Sequence, residues 1–171
     1  MTTITKVSIE EAAILSNLAA FTFQEAWSEP GNADDLNNYI DEYFNELTIR
    51  SELENPEIGY FIITVDDVNA GYMKLEFNCQ PEGHLLQSTV ALHRLYVKAS
   101  HRNLKLGTHL MNYAFSEAIM NGSKTIWLGV WNENYAAMRF YERFGFKRFG
   151  NYQFVMGTIV SDDYLMKRSL F

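Results

Sequence analysis

Apolar and polar positions along this chain alternate with two different periods, and the switches between them mark out its elements. An apolar-rich run from Ala12 to Phe23 follows Ser8 and Glu11, two residues spaced as a capping box, and predicts a first helix. The turn signal "SEPGN" closes it. Leu36, Tyr39, Ile40, Tyr43, Phe44 and Leu47 then recur at helical spacing. Asn32 stands where a cap belongs, with Asp34 and Asp35 in the positively polarised first turn, so a second helix is expected to run through Leu47. "GYFIITV" (59–65) and "AGYMKLEFN" (70–78) flank "DDVN" and predict an antiparallel hairpin. Its second strand alternates Tyr72, Lys74 and Glu76 against Met73, Leu75 and Phe77.

"QSTVALHRLYV" (87–97) reads as a longer strand, and "LGTHLMNYAFSEAIMNG" (106–122) as a helix with Leu110, Ala114 and Ala118 on one stripe and Asn121 and Gly122 as stop signals. "TIWLGV" (125–130) is nearly all apolar, as a strand buried on both faces should be. Asn134 opens the last helix, "NYAAMRFYERF", which Gly145 ends, and the tail "FKRFGNYQFVMG" then "DDYLMKRSL" supplies two more strands. The predicted order is β α α β β β α β α β β, an α/β (α+β) chain. The strand, helix, strand unit across residues 87–130 requires a parallel pair with a right-handed crossover.

Composition narrows the class. The 171 residues fit one domain, 1–171, with 47% hydrophobic and 20% charged residues, ordinary globular usage. Aromatic residues reach 15%, which fits either simple core filling or a pocket built from flat rings. The net charge of −7 has the wrong sign for a general nucleic-acid binder. The N-terminus carries acidic residues where a secretory signal needs an unbroken apolar run, and no stretch is apolar for long enough to span a membrane. The single Cys79 has no disulfide partner and no cationic neighbours in sequence, so a reducing, cytoplasmic setting is expected.

Candidate chemistry concentrates in "ASHRNLKLGTHLM", residues 99–111, at the start of the 106–122 helix. Unpaired amides at a helix start form an anion seat, and charge-assisted hydrogen bonds there contribute about 1.5–3 kcal/mol each. Arg102 and Lys105 add cations, Gly107 lets a ligand approach the backbone, and Thr108 adds a hydroxyl, so a phosphate or pyrophosphate is the natural guest. The chain contains neither G-x-x-x-x-G-K-[ST] nor G-x-G-x-x-G, which removes the main support for a nucleotide hydrolase or a dinucleotide fold. His84, His93, His101 and His109 fall in a loop, a strand, a loop and a helix without ligand spacing, so no metal site is expected.

The pattern LYV-x4-R-x-x-x-x-G-T-x-L, followed by WLGV-x3-N-x-x-A-x-x-FY-x3-GF, resembles the two core motifs of the GNAT superfamily of acyl-coenzyme A N-acyltransferases over residues 91–146. Within it, "WLGVWNEN", "FTFQEAW" with "NADDLNNYI", and "FVMG" with "DYLMK" are similar to the bacterial PaiA-type polyamine acetyltransferases. The resemblance implies a mixed, mostly antiparallel sheet of six to seven strands flanked by helices, with a splayed parallel pair at the coenzyme site. It implies acetyl-CoA as co-substrate and no metal. The pyrophosphate would then be wrapped by the amides of Arg102, Asn103, Leu104, Lys105, Leu106, Gly107 and Thr108. The pantetheine arm would pair with the main chain of Leu95, Tyr96 and Val97, the Val97 amide serving as oxyanion donor.

The sequence departs from the family pattern at Lys105, which stands where the first glycine of Q/R-x-x-G-x-G/A falls. The expectation is ordinary right-handed backbone there, with the ammonium strengthening the anion seat. By the resemblance Tyr141 is the general acid toward sulfur, and by its residues alone a core aromatic. Asn134 caps the last helix, binds the coenzyme arm, or does both. Ala91 replaces the usual glutamate base. His93, two residues on and on the same strand face, is a candidate base or a structural histidine, with Glu76 or a water chain as alternatives. Acidic and aromatic residues between Phe21 and Glu46 (Glu25, Trp27, Glu29, Asp34, Asp35, Asp41, Glu42 and Glu46) suit a small amine, polyamines first, or are simply a solvated face. Trp27 and Glu76 are the residues expected nearest that substrate. A protein, peptide or aminoglycoside amine, or a non-catalytic acyl-CoA-binding module, are the alternative readings, and the aromatic content leaves room for a homodimer.

Overall fold

A computed structural model describes residues 1–171. Seven strands form one sheet: β1 (Thr2–Lys6), β2 (Ile58–Val65), β3 (Val68–Phe77), β4 (Thr89–Val97), β5 (Thr125–Val130), β6 (Lys147–Met156) and β7 (Ile159–Ser169), in the order β1-β2-β3-β4-β5-β7-β6. The pairing of β4 with β5 is parallel and the rest are antiparallel. Five helices, α1 (Ala12–Trp27), α2 (Ala33–Tyr43), α3 (Glu46–Glu54), α4 (Leu106–Met120) and α5 (Tyr135–Arg143), cover the two faces. None is long and apolar enough to cross a membrane.

Each face carries its own apolar cluster. Leu110, Met111 and Ala114 of α4 meet Val90, Leu92 and Leu128 on one side, with Tyr141 of α5 packed against them. On the other, Leu15, Ala19 and Phe23 of α1 meet Leu36, Ile49, Tyr60 and Tyr72. Because both faces are covered, the alternation expected of β3 does not separate buried from solvated residues. Lys74 is only 6% exposed.

The second predicted helix is two helices. Asn45 interrupts it by accepting the Thr48 N–H at 2.9 Å and donating to the Asp41 and Glu42 carbonyls at 2.7 and 3.0 Å, so α3 starts afresh. Phe44 is thereby buried, whereas Leu47 points outward. Asn32 does not cap α2 either. Its side chain accepts the Glu29 N–H at 3.1 Å and donates to the Trp27 carbonyl at 2.7 Å, fixing the α1–α2 loop.

The new helix has an electrostatic role. Glu52 of α3 accepts from Lys74 Nζ at 2.5 Å and from the Tyr60 hydroxyl, and Arg94 Nη1 lies 3.9 Å away. Burial pushes the Lys74 ammonium below its ordinary pKa, and the Glu52 charge opposes that shift. Removing one partner of a buried pair strands the other charge, so Glu52→Gln is expected to destabilise the protein by about 3 kcal/mol in urea unfolding. A loss below about 1 kcal/mol would show that the pair behaves like an exposed one.

Candidate active site

The parallel pairing of β4 and β5 lasts for only three residue pairs, Thr89↔Thr125, Val90↔Ile126 and Ala91↔Trp127, after which the strands diverge. A bulge accompanies the divergence. Leu75 pairs with Leu92 but Lys74 pairs with Arg94, so His93 is the extra residue, and bulges of this kind re-aim side chains.

Beyond the bulge, the Lys98 N–H donates to the Ala70 carbonyl at 2.8 Å in the register Gly71↔Val97, Tyr72↔Tyr96. Antiparallel ladders alternate, so the main chain of Tyr96 is bonded to β3 while the N–H and C=O groups of Leu95 and Val97 face the gap beside β5. The free strand edge therefore belongs to Leu95 and Val97. Tyr96 contributes only its side chain, whose hydroxyl accepts from Trp27 Nε1 at 3.2 Å on the α1 side.

A cavity of about 560 Å³ occupies the gap, lined by these strand edges, by Trp27, and by Asn134 and Tyr141 of α5. A second cavity, of about 420 Å³, continues from it past Tyr141 to residues 101–108. There the amides of Asn103, Leu104, Lys105, Leu106 and Gly107 make no main-chain hydrogen bond, whereas the Arg102 N–H donates to Ala99 and the Thr108 N–H to Lys105. The run of free amides is thus narrower than the sequence suggested: five, from 103 to 107. Arg102 supplies the expected cation, and Arg143 of α5, which the sequence reading passed over, lines the same cavity.

Lys105 corrects an expectation. Its backbone is left-handed, with φ 56° and ψ 22°, so the position has the geometry for which a glycine is suited, and the lysine is strained. Gly107, by contrast, has no positive φ, and a Cβ there would meet Phe140 and Leu95 at 3.5 and 3.8 Å, ordinary contact distances.

Tyr141 lines both cavities at their junction. Burial, with a smaller contribution from Tyr96, pushes its phenol well above the ordinary tyrosine pKa, so the hydroxyl keeps its proton and can act as a donor. Asn134 caps α5 by accepting the Ala137 N–H at 3.1 Å, which leaves its Nδ2 for the cavity.

His93 reaches the cavity from the bulge. Its Nε2 lies 2.8 Å from Glu76 Oε2 and 3.8 Å from Cys79 Sγ, and the hydrogen bond from His93 holds the Glu76 carboxyl below its usual pKa range. Glu76 itself does not line the large cavity and touches it only by way of its hydrogen bond with His93. The three polar atoms lie within 4.8 Å of one another, a grouping invisible to linear spacing because two strands and a turn supply it. Burial pushes the Cys79 thiol up to about 11, and His93 and Glu76 are already bonded to each other.

Most of the acidic residues between Phe21 and Glu46 lie elsewhere. Glu25 accepts the Ala99 N–H at 2.9 Å, Asp35 binds Thr158, and Glu46 pairs with Arg50; of the residues singled out there, Trp27 alone lines the large cavity. Trp131, Tyr152, Phe154 and Asp163 shape this end instead; three of them fall within the quoted motifs, but nothing in the sequence assigned any of the four to a site.

The model of the acetyltransferase (GNAT) family matches residues 13–146. An uncharacterized N-acetyltransferase of Lactobacillus delbrueckii subsp. lactis is 26% identical over 98% of this chain and 96% of its own length. Among solved structures, a PaiA N-acetyltransferase from Thermoplasma acidophilum in complex with coenzyme A superposes with a TM-score of 0.75 at 22% identity over 99% of both chains. The ribosomal-protein-S18-alanine N-acetyltransferase of Escherichia coli gives 0.71 at 18% identity over 99% of this chain and 94% of that one.

The two backbone findings make opposite demands on neighbouring positions. Lys105→Gly should raise stability by about 1 kcal/mol by relieving the left-handed conformation. Gly107→Ala should be tolerated and add about 0.5–1 kcal/mol through helix propensity. Thermal melts of both variants check this, and a destabilised Lys105→Gly would show that the lysine side chain outweighs its strained backbone.

Proposed function

The chain belongs to the acetyltransferase (GNAT) family and is an acetyl-CoA-dependent N-acyltransferase; from that premise we propose that it acetylates a small amine, polyamines first, by direct attack of the amine on the thioester. The observation that carries the reading is the divergence of β4 from β5, which leaves the edges of Leu95 and Val97 unpaired on a cavity that continues to the free amides of residues 103–107. An extended molecule with an anionic end and amide groups along its arm fits both features.

Each chemical demand of the reaction has a candidate group. The amides of Asn103 to Gly107, with Arg102 and Arg143, hold the pyrophosphate, and Asn134 Nδ2 and the Leu95 and Val97 edges align the arm. The Val97 N–H, directed into the gap, donates to the carbonyl oxygen as charge develops on it. His93, oriented by Glu76, accepts the proton that the attacking nitrogen gives up. The Tyr141 hydroxyl, kept protonated by burial, donates to the departing sulfur. The new bond is nitrogen to acyl carbon, the bond broken is carbon to sulfur, and the products are the N-acetylated amine and the free thiol of coenzyme A.

Aromatic rings favour a cationic acceptor over a neutral one. Trp27 stands 5.7 Å from Trp131 and 6.1 Å from Phe154, ring centre to ring centre, and such walls attract ammonium groups.

Thiol release from acetyl-CoA against spermidine, spermine, aminoglycosides and lysine or alanyl peptides tests the reading. Turnover is expected first with the polyamines, and Tyr141→Phe is expected to lower kcat roughly a hundredfold with a far smaller change in coenzyme affinity. Turnover with peptides alone would replace the polyamine assignment, and tight coenzyme binding with no turnover would identify a binding module.

A further inference from the structure

One buried carboxylate at the acceptor end is neutralised by nothing in the chain. Asp163 of β7 is 3% exposed, and its hydrogen-bond donors are the hydroxyls of Ser161 at 2.7 Å and Tyr152 at 3.2 Å. The other buried charges near the site are paired: Lys74 with Glu52, and Arg94 with Glu52 and the Tyr60 hydroxyl. Asp163 takes part in none of the chain's ion pairs. A buried carboxylate is costly unless a cation meets it, so a cation from outside the chain is the partner to look for.

The surroundings of Asp163 identify that cation. The carboxylate lines a side pocket of about 110 Å³, whose walls include the rings of Trp27, Tyr39, Trp131, Tyr152 and Phe154. The space suits a short alkyl arm better than a bulky group. Trp27, His93, Tyr96, Gly129 and Trp131 line both this pocket and the large cavity, so the two are continuous and His93 stands at their common boundary. Gly129 is part of the construction. A Cβ there would collide with the Tyr152 hydroxyl, so the bare backbone lets Tyr152 lie against β5 and reach Asp163. Arg94 also borders the pocket, but its guanidinium sits 4.3 Å over the Phe44 ring and donates to the Tyr60 hydroxyl at 2.8 Å, turned toward Glu52 and away from Asp163.

We infer that Asp163 receives a second ammonium group of the acceptor while the nitrogen to be acetylated stays in the large cavity beside His93, so that the enzyme selects alkyl diamines and polyamines over monoamines of the same length. This rests on the N-acetyltransferase reading above and deepens it with a specificity residue. The aromatic faces stabilise the incoming charge, and the carboxylate fixes how far the acceptor enters. Burial pushes the Asp163 carboxyl above its ordinary pKa, as for an acid whose counter-ion arrives with the substrate.

The test compares kcat/KM for 1,3-diaminopropane, 1,4-diaminobutane and 1,5-diaminopentane with the values for the alkylamines of matching length, in the wild type and in Asp163→Asn. The wild type is expected to prefer the diamines, and the near-isosteric Asp163→Asn variant to lose that preference by at least tenfold. An unchanged ratio overturns the assignment, since a merely structural Asp163 would affect both classes of amine alike. Phe154→Leu, which thins the aromatic wall and leaves Asp163 in place, should reduce the same ratio by about threefold and guards against a folding defect in Asp163→Asn. If the wild type acetylates no amine at all, the reading of its activity fails separately, and calorimetric titration with 1,4-diaminobutane decides the pocket. Binding lost in Asp163→Asn upholds the inference, and absent or unaltered binding ends it.

Discussion

The structure turns on a refusal to pair. Past Ala91 and Trp127, β4 and β5 stop exchanging hydrogen bonds, and a sheet that is continuous elsewhere opens at its centre. Main-chain groups left unpaired in an interior are costly, so the free edges of Leu95 and Val97 favour any ligand able to complete them. The bulge at His93 belongs to the same event, because the added residue brings the imidazole to the gap while the strand beyond it keeps its register with β3. The unpaired edges of Leu95 and Val97 and the approach of His93 to the cavity are therefore consequences of one local change in strand pairing.

Around that opening the protein is closely packed with aromatic rings. Tyr60, Tyr72 and Tyr96 stack in series at centroid distances of 6.3 and 6.0 Å, and Arg94 is held between Phe44 and Glu52. The Tyr72 hydroxyl is fully enclosed and finds no hydrogen-bond partner among the protein groups around it. Acyl transfer requires its two reactants to be held at a defined separation, and closely packed walls of this kind suit that demand.

What the sequence disclosed and what it hid follow from the range of the interactions involved. The strand "TIWLGV" was readable residue for residue because a strand buried on both faces needs an uninterrupted apolar run. The start of α4 was readable because its signals, from Arg102 to Thr108, lie within a few residues of one another. Asn45 was misread because apolar periodicity continued across it, although an asparagine followed by Glu46 is itself a cap signal. The left-handed Lys105 was hidden because no residue other than glycine announces positive φ. Asp163, Tyr152 and Arg143 were hidden for a different reason: their roles exist only once β7, β6 and α5 are folded against strands far away in the chain.

Asp35 draws a last feature into view. Its carboxylate accepts from the Thr158 amide at 3.1 Å and hydroxyl at 2.5 Å, and Gly157 at the turn leaves no side chain in its way. One acidic residue of α2 thus clasps the turn between β6 and β7, and Tyr39 of α2 shares the side pocket with Phe154 of β6 and Asp163 of β7. The cavity beside residues 101–108 is walled by the middle of the polypeptide, whereas Trp27, Tyr39, Phe154 and Asp163 bring segments far apart in the chain to the side pocket, so substitutions in those segments can reshape that pocket while the other cavity keeps its lining.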